Sequence, residues 1–322
     1  MGEQQKMKIL VMGAGAIGSL FGGLLAEAGN EVFLVGRQPH ISEIQNSGLK
    51  IKGFVDKHIT NIKAGTTPSI IQDEDTDLVL LTVKAYDTKQ ATLQIKPLIK
   101  SRTTVLCLQN GIGVEEEAAK ILGKTNLLRG VTFCGAFLKE PGTVFYTGFG
   151  ETIIGRLNKN QDEVEEIVKT FKNAGFPTKI SENIQTTVWT KTLVNAGINP
   201  FGTLTEMKNG ELIKNREIRT LMVNTVEEGI KVAKKLKVPL KEDPVKLMLK
   251  TAEATANNLN SMLQDIKRGK KTEIDYINGA ISKLGKKLGV PTPLNSLLTF
   301  LIKILEEKSC RREVIHIHPT SF

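Results

Sequence analysis

Four consecutive apolar residues, Ile9-Leu10-Val11-Met12, run into a cluster of glycines and are followed by a helical pattern from Ser19 to Glu27. A short buried strand turning directly into a helix produces this pattern. Glu31 to Gly36 reads as a second strand, Asp77 to Val83 as a third and Thr104 to Leu108 as a fourth, each a short apolar run of the kind buried in a parallel sheet. Helical spacing separates several of them, notably after Lys84-Ala-Tyr-Asp87 to about Lys100. Leu49 to Thr60 alternates and carries glycines, which predicts small inserted strands. The strand-like stretches Leu127 to Phe137 and Thr143 to Gly155 are expected to complete the sheet. Gln161 to Asn173 predicts a helix and Phe176 to Ile180 a short strand.

The pattern changes from Ser181 onward. Only helical spacing is found, over 182–199, 210–237, 242–259, 274–289 and 295–307. Two domains follow: an α/β Rossmann-type domain with a parallel sheet over residues 1–180, and an all-helical domain over 181–308. The tail 309–322 has no assigned role.

Chemistry enters at the first strand-to-helix turn, Gly13-Ala14-Gly15-Ala16-Ile17-Gly18. Placed after a strand and before a helix, this Gly-x-Gly-x-x-Gly spacing is the context of a dinucleotide site. The first glycine permits the tight turn, the second lets backbone approach a pyrophosphate, and the third allows close packing of helix on strand. The helix N-terminus offers N–H groups and partial positive charge to the phosphates. At the end of the second strand an NAD site normally carries Asp or Glu for the ribose 2′-hydroxyl. This chain has Gly36-Arg37-Gln38 and no carboxylate until Glu43. An arginine fork pairs with a 2′-phosphate, so NADP(H) is preferred, unless Arg37 is an ordinary exposed loop charge.

Lys84 and Asn110 each follow a predicted parallel strand, at the rim where open sheets bind ligands. Lys191, Asn195 and Asn199 fall at i, i+4 and i+8, on one helical stripe. Such a stripe is either a solvated face or a cleft wall, and Pro200 is expected to stop the helix just past it. Asn209 reads as a helix N-cap or a ligand contact. Ser261 either orients a ligand carboxylate or bonds its own backbone. Thr272 and Asp275 have capping-box spacing, which leaves Glu273 in the first helical turn.

Composition narrows the class. The chain has 322 residues, 40% hydrophobic and 24% charged, and no apolar run near the roughly 18 residues of a membrane span. Its first residues lack an apolar signal core, and residue 6 is Lys where a myristoylation pattern needs Ser or Thr. Three cysteines, Cys107, Cys134 and Cys310, read as reduced thiols of a cytoplasmic protein. The pair His316 and His318 is a poor metal site without further ligands, and no metal is expected. The formal charge of +10 is carried by dispersed lysines with only 5% aromatic residues. That suits a small anionic ligand better than nucleic acid.

Taken together, the glycine loop, Lys84, Gln109-Asn110-Gly111, the Lys191-Asn195-Asn199-Pro200 spacing, Asn209-Gly210-Glu211-Leu212, Ser261 to Asp265 and Thr272 to Gly279 resemble the ketopantoate reductase (2-dehydropantoate 2-reductase) family. The resemblance runs from Lys8 to about Glu307. It implies an active site between the two domains and NADPH-dependent reduction of ketopantoate to (R)-pantoate in pantothenate and coenzyme A synthesis. It further implies Lys191 as proton donor, and Asn195, Asn199, Asn209 and Ser261 as substrate contacts. Gly13 to Gly18 hold the cofactor, with Arg37 and Lys84 near the 2′-phosphate. Asn110 and Glu273 line the cofactor and substrate cleft, Glu273 with a catalytic role, and Ala136 is a further cofactor contact. Alternatives are a reductase of another 2-keto acid and a non-catalytic NADP-binding sensor. Assembly as a homodimer stays open.

Overall fold

The computed structural model describes residues 6–71, 75–124, 126–156 and 162–316. The side chains of Cys310, His316 and His318 lie outside the described set, as do residues 1–5. The chain divides into two compact units, Met1–Gln109 with Val114–Ile184, and Asn110–Gly113 with Gln185–Phe322.

The first unit is built from strands β1 (Lys8–Met12), β2 (Glu31–Val35), β3 (Leu49–Gly53), β4 (Lys57–Ile59), β5 (Lys63–Gly65), β6 (Leu78–Leu81), β7 (Thr104–Cys107), β8 (Leu127–Thr132), β9 (Gly135–Glu140), β10 (Thr143–Gly148), β11 (Thr152–Arg156) and β12 (Thr178–Ile180). Its helices are α1 (Ala16–Glu27), α2 (His40–Ser47), α3 (Thr88–Ile95), α4 (Val114–Leu122) and α5 (Asp162–Asn173). Eight strands form one sheet in the order β12-β11-β8-β7-β6-β1-β2-β5. The run from β8 to β5 is parallel throughout. From β1 the chain moves outward to β2 and β5, then returns to the other side of β1 as β6. The strand order therefore reverses at β1, the position where open α/β sheets bind ligands.

Not all of the later strands complete this sheet. β8 and β11 do, but β9 and β10 join β3 and β4 in a second sheet ordered β4-β3-β10-β9. The burial pattern gives the reason. Every residue of β8 is buried, whereas β9 is only half-buried or exposed along its length. A half-wet strand does not fit the interior of a sheet covered on both faces. Helix α1 packs against both sheets through adjacent glycines. A Cβ at Gly22 would meet Leu34 at 2.5 Å, and one at Gly23 would meet Ile51 and Leu49 at 2.8 Å.

The second unit contains α6 (Ile184–Thr205), α7 (Asn209–Lys214), α8 (Arg216–Lys235), α9 (Pro244–Ala254), α10 (Ser261–Lys267), α11 (Asn278–Leu288) and α12 (Pro293–His316). Among the described residues it has no strand. Four expectations are corrected here. Helix α6 does not stop at Pro200 but continues to Thr205. Proline leaves the carbonyl four residues earlier without its usual donor; that carbonyl, on Ala196, accepts a hydrogen bond from Asn278 Nδ2 at 3.2 Å.

The helical pattern 210–237 is broken into two helices at Asn215, whose backbone is extended and whose side chain accepts from Ile218 N–H at 3.0 Å. Asn209 is the first residue of α7 rather than its cap, because the extended residue at that end is Lys208. Thr272 and Asp275 do not form a capping box. Thr272 Oγ1 accepts from Ile274 N–H at 3.2 Å and bonds the Glu306 carboxylate, while Asp275 pairs with Lys303 at 3.1 Å.

Candidate functional site

In the first unit the glycine loop lies at the end of β1. Gly13 has φ +118°, and its N–H and that of Ala14 both donate to Val35 O, at 2.9 and 2.7 Å. A Cβ at Gly13 would run into the Val83 backbone, and one at Gly18 into Gly13 O. Both glycines are therefore demanded by the protein's own packing. Gly15 is different: a Cβ there would meet nothing within 4 Å. It precedes α1 in extended backbone, with no side-chain cap and no acidic residue in the first turn. Unfilled space beside uncapped N–H groups is what a pyrophosphate requires, so these residues fit a dinucleotide. Ala16 and Ile17 open the helix.

At the end of β2, Arg37 is 86% exposed in its side chain and pairs with Asp87 at 2.9 Å. The carboxylate at this corner thus comes from beyond β6, fifty residues away in sequence. Lys84 is half-buried and precedes a 3-10 turn, Ala85–Asp87. Ala136 lies on β9 opposite Tyr146, in the smaller sheet.

The stretch Asn110–Gly113 packs within the helical unit. Ile112 N–H donates to Tyr276 O at 2.9 Å, and a Cβ at Gly111, φ +91°, would stand 2.6 Å from the same oxygen. Asn110 is thereby joined to two of the other candidates. Lys191 Nζ donates to Asn110 Oδ1 at 2.8 Å, and Asn110 Nδ2 donates to Glu273 Oε2 at 3.2 Å. An ionised carboxylate only accepts, and an ammonium only donates. Glu273 thus fixes which end of the amide faces Lys191. Glu273 is buried, and Lys191 and Asn110 are half-buried.

The remaining candidates lie outside this hydrogen-bonded chain. Asn195 is half-buried one turn after Lys191 on α6, and Asn199 is buried a turn further. Asn209 is buried; its Nδ2 donates to Thr255 Oγ1 at 2.9 Å, and its Oδ1 has no hydrogen-bond partner. Ser261 is exposed at the start of α10, where Asn260 Oδ1 caps Leu263 N–H at 3.0 Å.

Three polar features near these residues carried no recognised signal in the sequence. Arg129 is 1% exposed and lies 3.2 Å from the fully buried Glu115 carboxylate. It donates to Cys107 O at 2.9 Å and to Gln109 O at 2.8 Å, tying down the end of β7 one residue before Asn110. A lone arginine inside an apolar strand was the available clue. His40 Nδ1 accepts from Gly142 N–H at 2.9 Å, its Nε2 lies 2.9 Å from Ser19 Oγ, and burial lowers its pKa from the usual 6.5. Asp87, the partner of Arg37, is the third.

Cys107 and Cys134 are buried and unpaired, and burial pushes the Cys107 thiol up to about 12, too high for a nucleophile at neutral pH. Among the described residues no group of three His, Cys, Asp or Glu side chains could hold a metal. Among them also, no helix is long and apolar enough to cross a membrane.

A doubly wound sheet with an open glycine loop at its reversal point, in a chain that also holds an ammonium bonded through a half-buried amide to a buried carboxylate, defines an oxidoreductase that uses a nicotinamide cofactor. Comparison with known proteins carries this a step further. The family described as "Ketopantoate reductase PanE/ApbA" matches residues 9–159, and "Ketopantoate reductase PanE/ApbA C terminal" matches residues 183–306. The chain belongs to the ketopantoate reductase family. It is 45% identical over 301 residues to the 2-dehydropantoate 2-reductase of Pyrococcus horikoshii, covering 93% of this chain and 98% of the relative. A PanE/ApbA family ketopantoate reductase from Ralstonia eutropha has a similar structure, with TM-score 0.87, 32% identity, and coverage of 94% of this chain and 99% of that one. A D-mandelate dehydrogenase solved with NADH and anilino(oxo)acetate is equally similar, with TM-score 0.88, 32% identity and the same coverage.

Proposed function

We propose that this chain reduces 2-dehydropantoate to (R)-pantoate with NADPH, serving pantothenate and coenzyme A synthesis. The Rossmann-type unit holds the cofactor, and the helical unit holds the keto acid. The observation that carries the reading is the hydrogen-bonded chain from Lys191 through Asn110 to Glu273.

The cofactor, when bound, supplies a hydride to the C2 carbonyl carbon. The residues of this chain handle the rest. As the C=O π bond breaks, its electron pair moves to oxygen, and the Lys191 ammonium stabilises that charge and delivers the proton that completes the hydroxyl. Solvent then reprotonates the lysine. Glu273 and Asn110 hold the ammonium in place, so no reorganisation is needed as charge develops. Asn195, Asn199, Asn209 and Ser261 serve the carboxylate and hydroxyl of the substrate, because amides and hydroxyls bond both without adding charge. Of the two readings of Asn209, its buried Oδ1 without a partner supports the ligand contact over the helix cap.

Arg37, with no carboxylate following it on the chain until Glu43, supports NADPH over NADH, although Asp87 reaches the same corner from beyond β6. Two buried unpaired thiols support a reducing, cytoplasmic setting. A second reading has one observation in its favour: the similarity to a D-mandelate dehydrogenase bound to NADH. It keeps the Lys191 chemistry and changes the keto acid and the cofactor.

Cofactor oxidation measured with ketopantoate and a panel of 2-keto acids, each with NADPH and NADH, separates the two. Preference for ketopantoate and NADPH is the expected outcome; preference for an aryl keto acid with NADH selects the second reading. Binding of NADPH without turnover of any keto acid would leave a cofactor-binding sensor.

A further inference from the structure

Helix α6 carries the polar stripe Lys191-Asn195-Asn199 straight into a proline, and the unit supplies a side chain where the proline lacks a donor. In an unbroken helix the N–H of residue 200 would donate to Ala196 O. Pro200 has no N–H, and its ring crowds that carbonyl. Asn278, 0% exposed at the start of α11, donates its Nδ2 to Ala196 O at 3.2 Å. Ala196 is the residue after Asn195, and its carbonyl lies in the turn that joins Asn195 to Asn199.

The surrounding bonds fix the direction of the Asn278 amide. Asn295 Nδ2 donates to Glu228 Oε2 at 2.8 Å and to Thr225 O at 3.0 Å, so Asn295 presents its Oδ1 as an acceptor. Asn278 Nδ2 donates to that Oδ1 at 3.1 Å. A flipped Asn278 would set oxygen against oxygen at both partners. Glu228 in turn accepts the N–H groups of Leu294 and Asn295 at 3.0 Å each, at the start of α12. The donor for Ala196 is thus anchored through Asn295 to a carboxylate on α8. Asn278 of α11 reaches the carbonyl that Pro200 leaves without its backbone donor, and Asn295 of α12 and Glu228 of α8 hold that amide from behind, all of them buried.

We infer that Asn278 is a positioning residue for the keto-acid site: it stands in for the N–H that Pro200 lacks and holds Asn195 and Asn199 in line with Lys191. Asn278 is 0% exposed, so it acts on the site through α6 and not by contact with a ligand. The inference rests on the functional reading above for its effect on turnover, and on the hydrogen bonds alone for its effect on α6.

The test is a double-mutant cycle with Pro200→Ala, which restores a backbone N–H aimed at Ala196 O. Asn278→Ala should raise KM for the keto acid about tenfold, the scale of one buried polar group left unpaired. NADPH affinity should hold within about twofold, and kcat should fall less than KM rises. Amide exchange across residues 195–205 should accelerate. Pro200→Ala combined with Asn278→Ala should bring KM and exchange back within about threefold of the parent, because coupled sites are non-additive.

Equal KM and exchange in Asn278→Ala and the parent would overturn the inference, and so would a double variant as impaired as Asn278→Ala alone. If Asn278→Ala is insoluble, a soluble double variant is the rescue itself; if both are insoluble, Asn278→Ser replaces Ala in the same cycle. Should the parent reduce no 2-keto acid, the functional reading fails, while the exchange measurements still decide the role of Asn278.

Discussion

Lys191 Nζ lies 2.8 Å from Asn110 Oδ1, although the two residues are 81 positions apart. The amide accepts from the ammonium on one side and donates to Glu273 on the other, so each of the three groups has its direction set by its neighbour. Lys191→Ala removes the proposed proton donor and should slow the chemical step by about 10²–10⁴-fold, the range for general acid catalysis. Asn110→Ala leaves the lysine in place but without this acceptor, and should lower kcat by about 10–100-fold, as expected for a hydrogen bond to a charged group. Single-turnover rates at saturating NADPH check both. Near-parent rates for Lys191→Ala would remove it as proton donor.

The three loop glycines are predicted to behave differently. Gly18→Ala forces a methyl into Gly13 O and should destabilise the fold by about 1–3 kcal/mol, a typical overpacking penalty. Gly15→Ala meets nothing in the protein, so its melting temperature should match the parent's. Its NADPH affinity should nevertheless fall, since the methyl would fill the space proposed for the pyrophosphate. Thermal melts paired with cofactor titration read the two effects separately.

Arg37, the residue proposed to hold the 2′-phosphate, is paired with Asp87 at 2.9 Å. Arg37→Ala should weaken NADPH far more than NADH, and equal losses would end the 2′-phosphate argument. Asp87→Asn removes a carboxylate that competes with a phosphate for the same guanidinium. NADPH should then bind about two- to fivefold tighter at low salt, the scale of an exposed ion pair, with the gain fading as salt is added.

His40 gives the first unit an acid-sensitive joint. Its Nδ1 accepts from Gly142 N–H, a bond possible only for the neutral ring, and burial lowers its pKa below 6.5. The unfolded chain therefore takes up this proton first. The contribution is complete above about pH 6.5 and declines as pH falls through that value toward the lower folded pKa. His40→Gln keeps an acceptor and a donor without titrating. Urea midpoints from pH 7.5 to 5 should slope less in this variant than in the parent; parallel slopes would assign the acid sensitivity elsewhere.

The periodic elements were legible because they follow local rules. The apolar runs of β1, β2, β6 and β7, the strand–glycine–helix context and the i, i+4, i+8 stripe on α6 are set by neighbours within a few turns of chain. They suffice for a Rossmann-type fold with a dinucleotide loop, and the resemblance carried by Asn209, Ser261 and the 272–279 stretch points to the same family as the comparisons. The division of the later strands was not legible, because β8 and β9 differ in burial, which depends on what packs over them. Nor was the persistence of α6 past Pro200, since the partner that satisfies Ala196 lies 82 residues further on. The sequence by itself determined which elements form and which side chains are available for chemistry, because periodicity and side-chain type are local properties. Only the tertiary structure decided which of those side chains meet: Lys191 with Asn110 and Glu273, Arg37 with Asp87, Asn278 with a carbonyl on another helix. Hydrogen bonds depend on distance in space, and chain separation carries no trace of it.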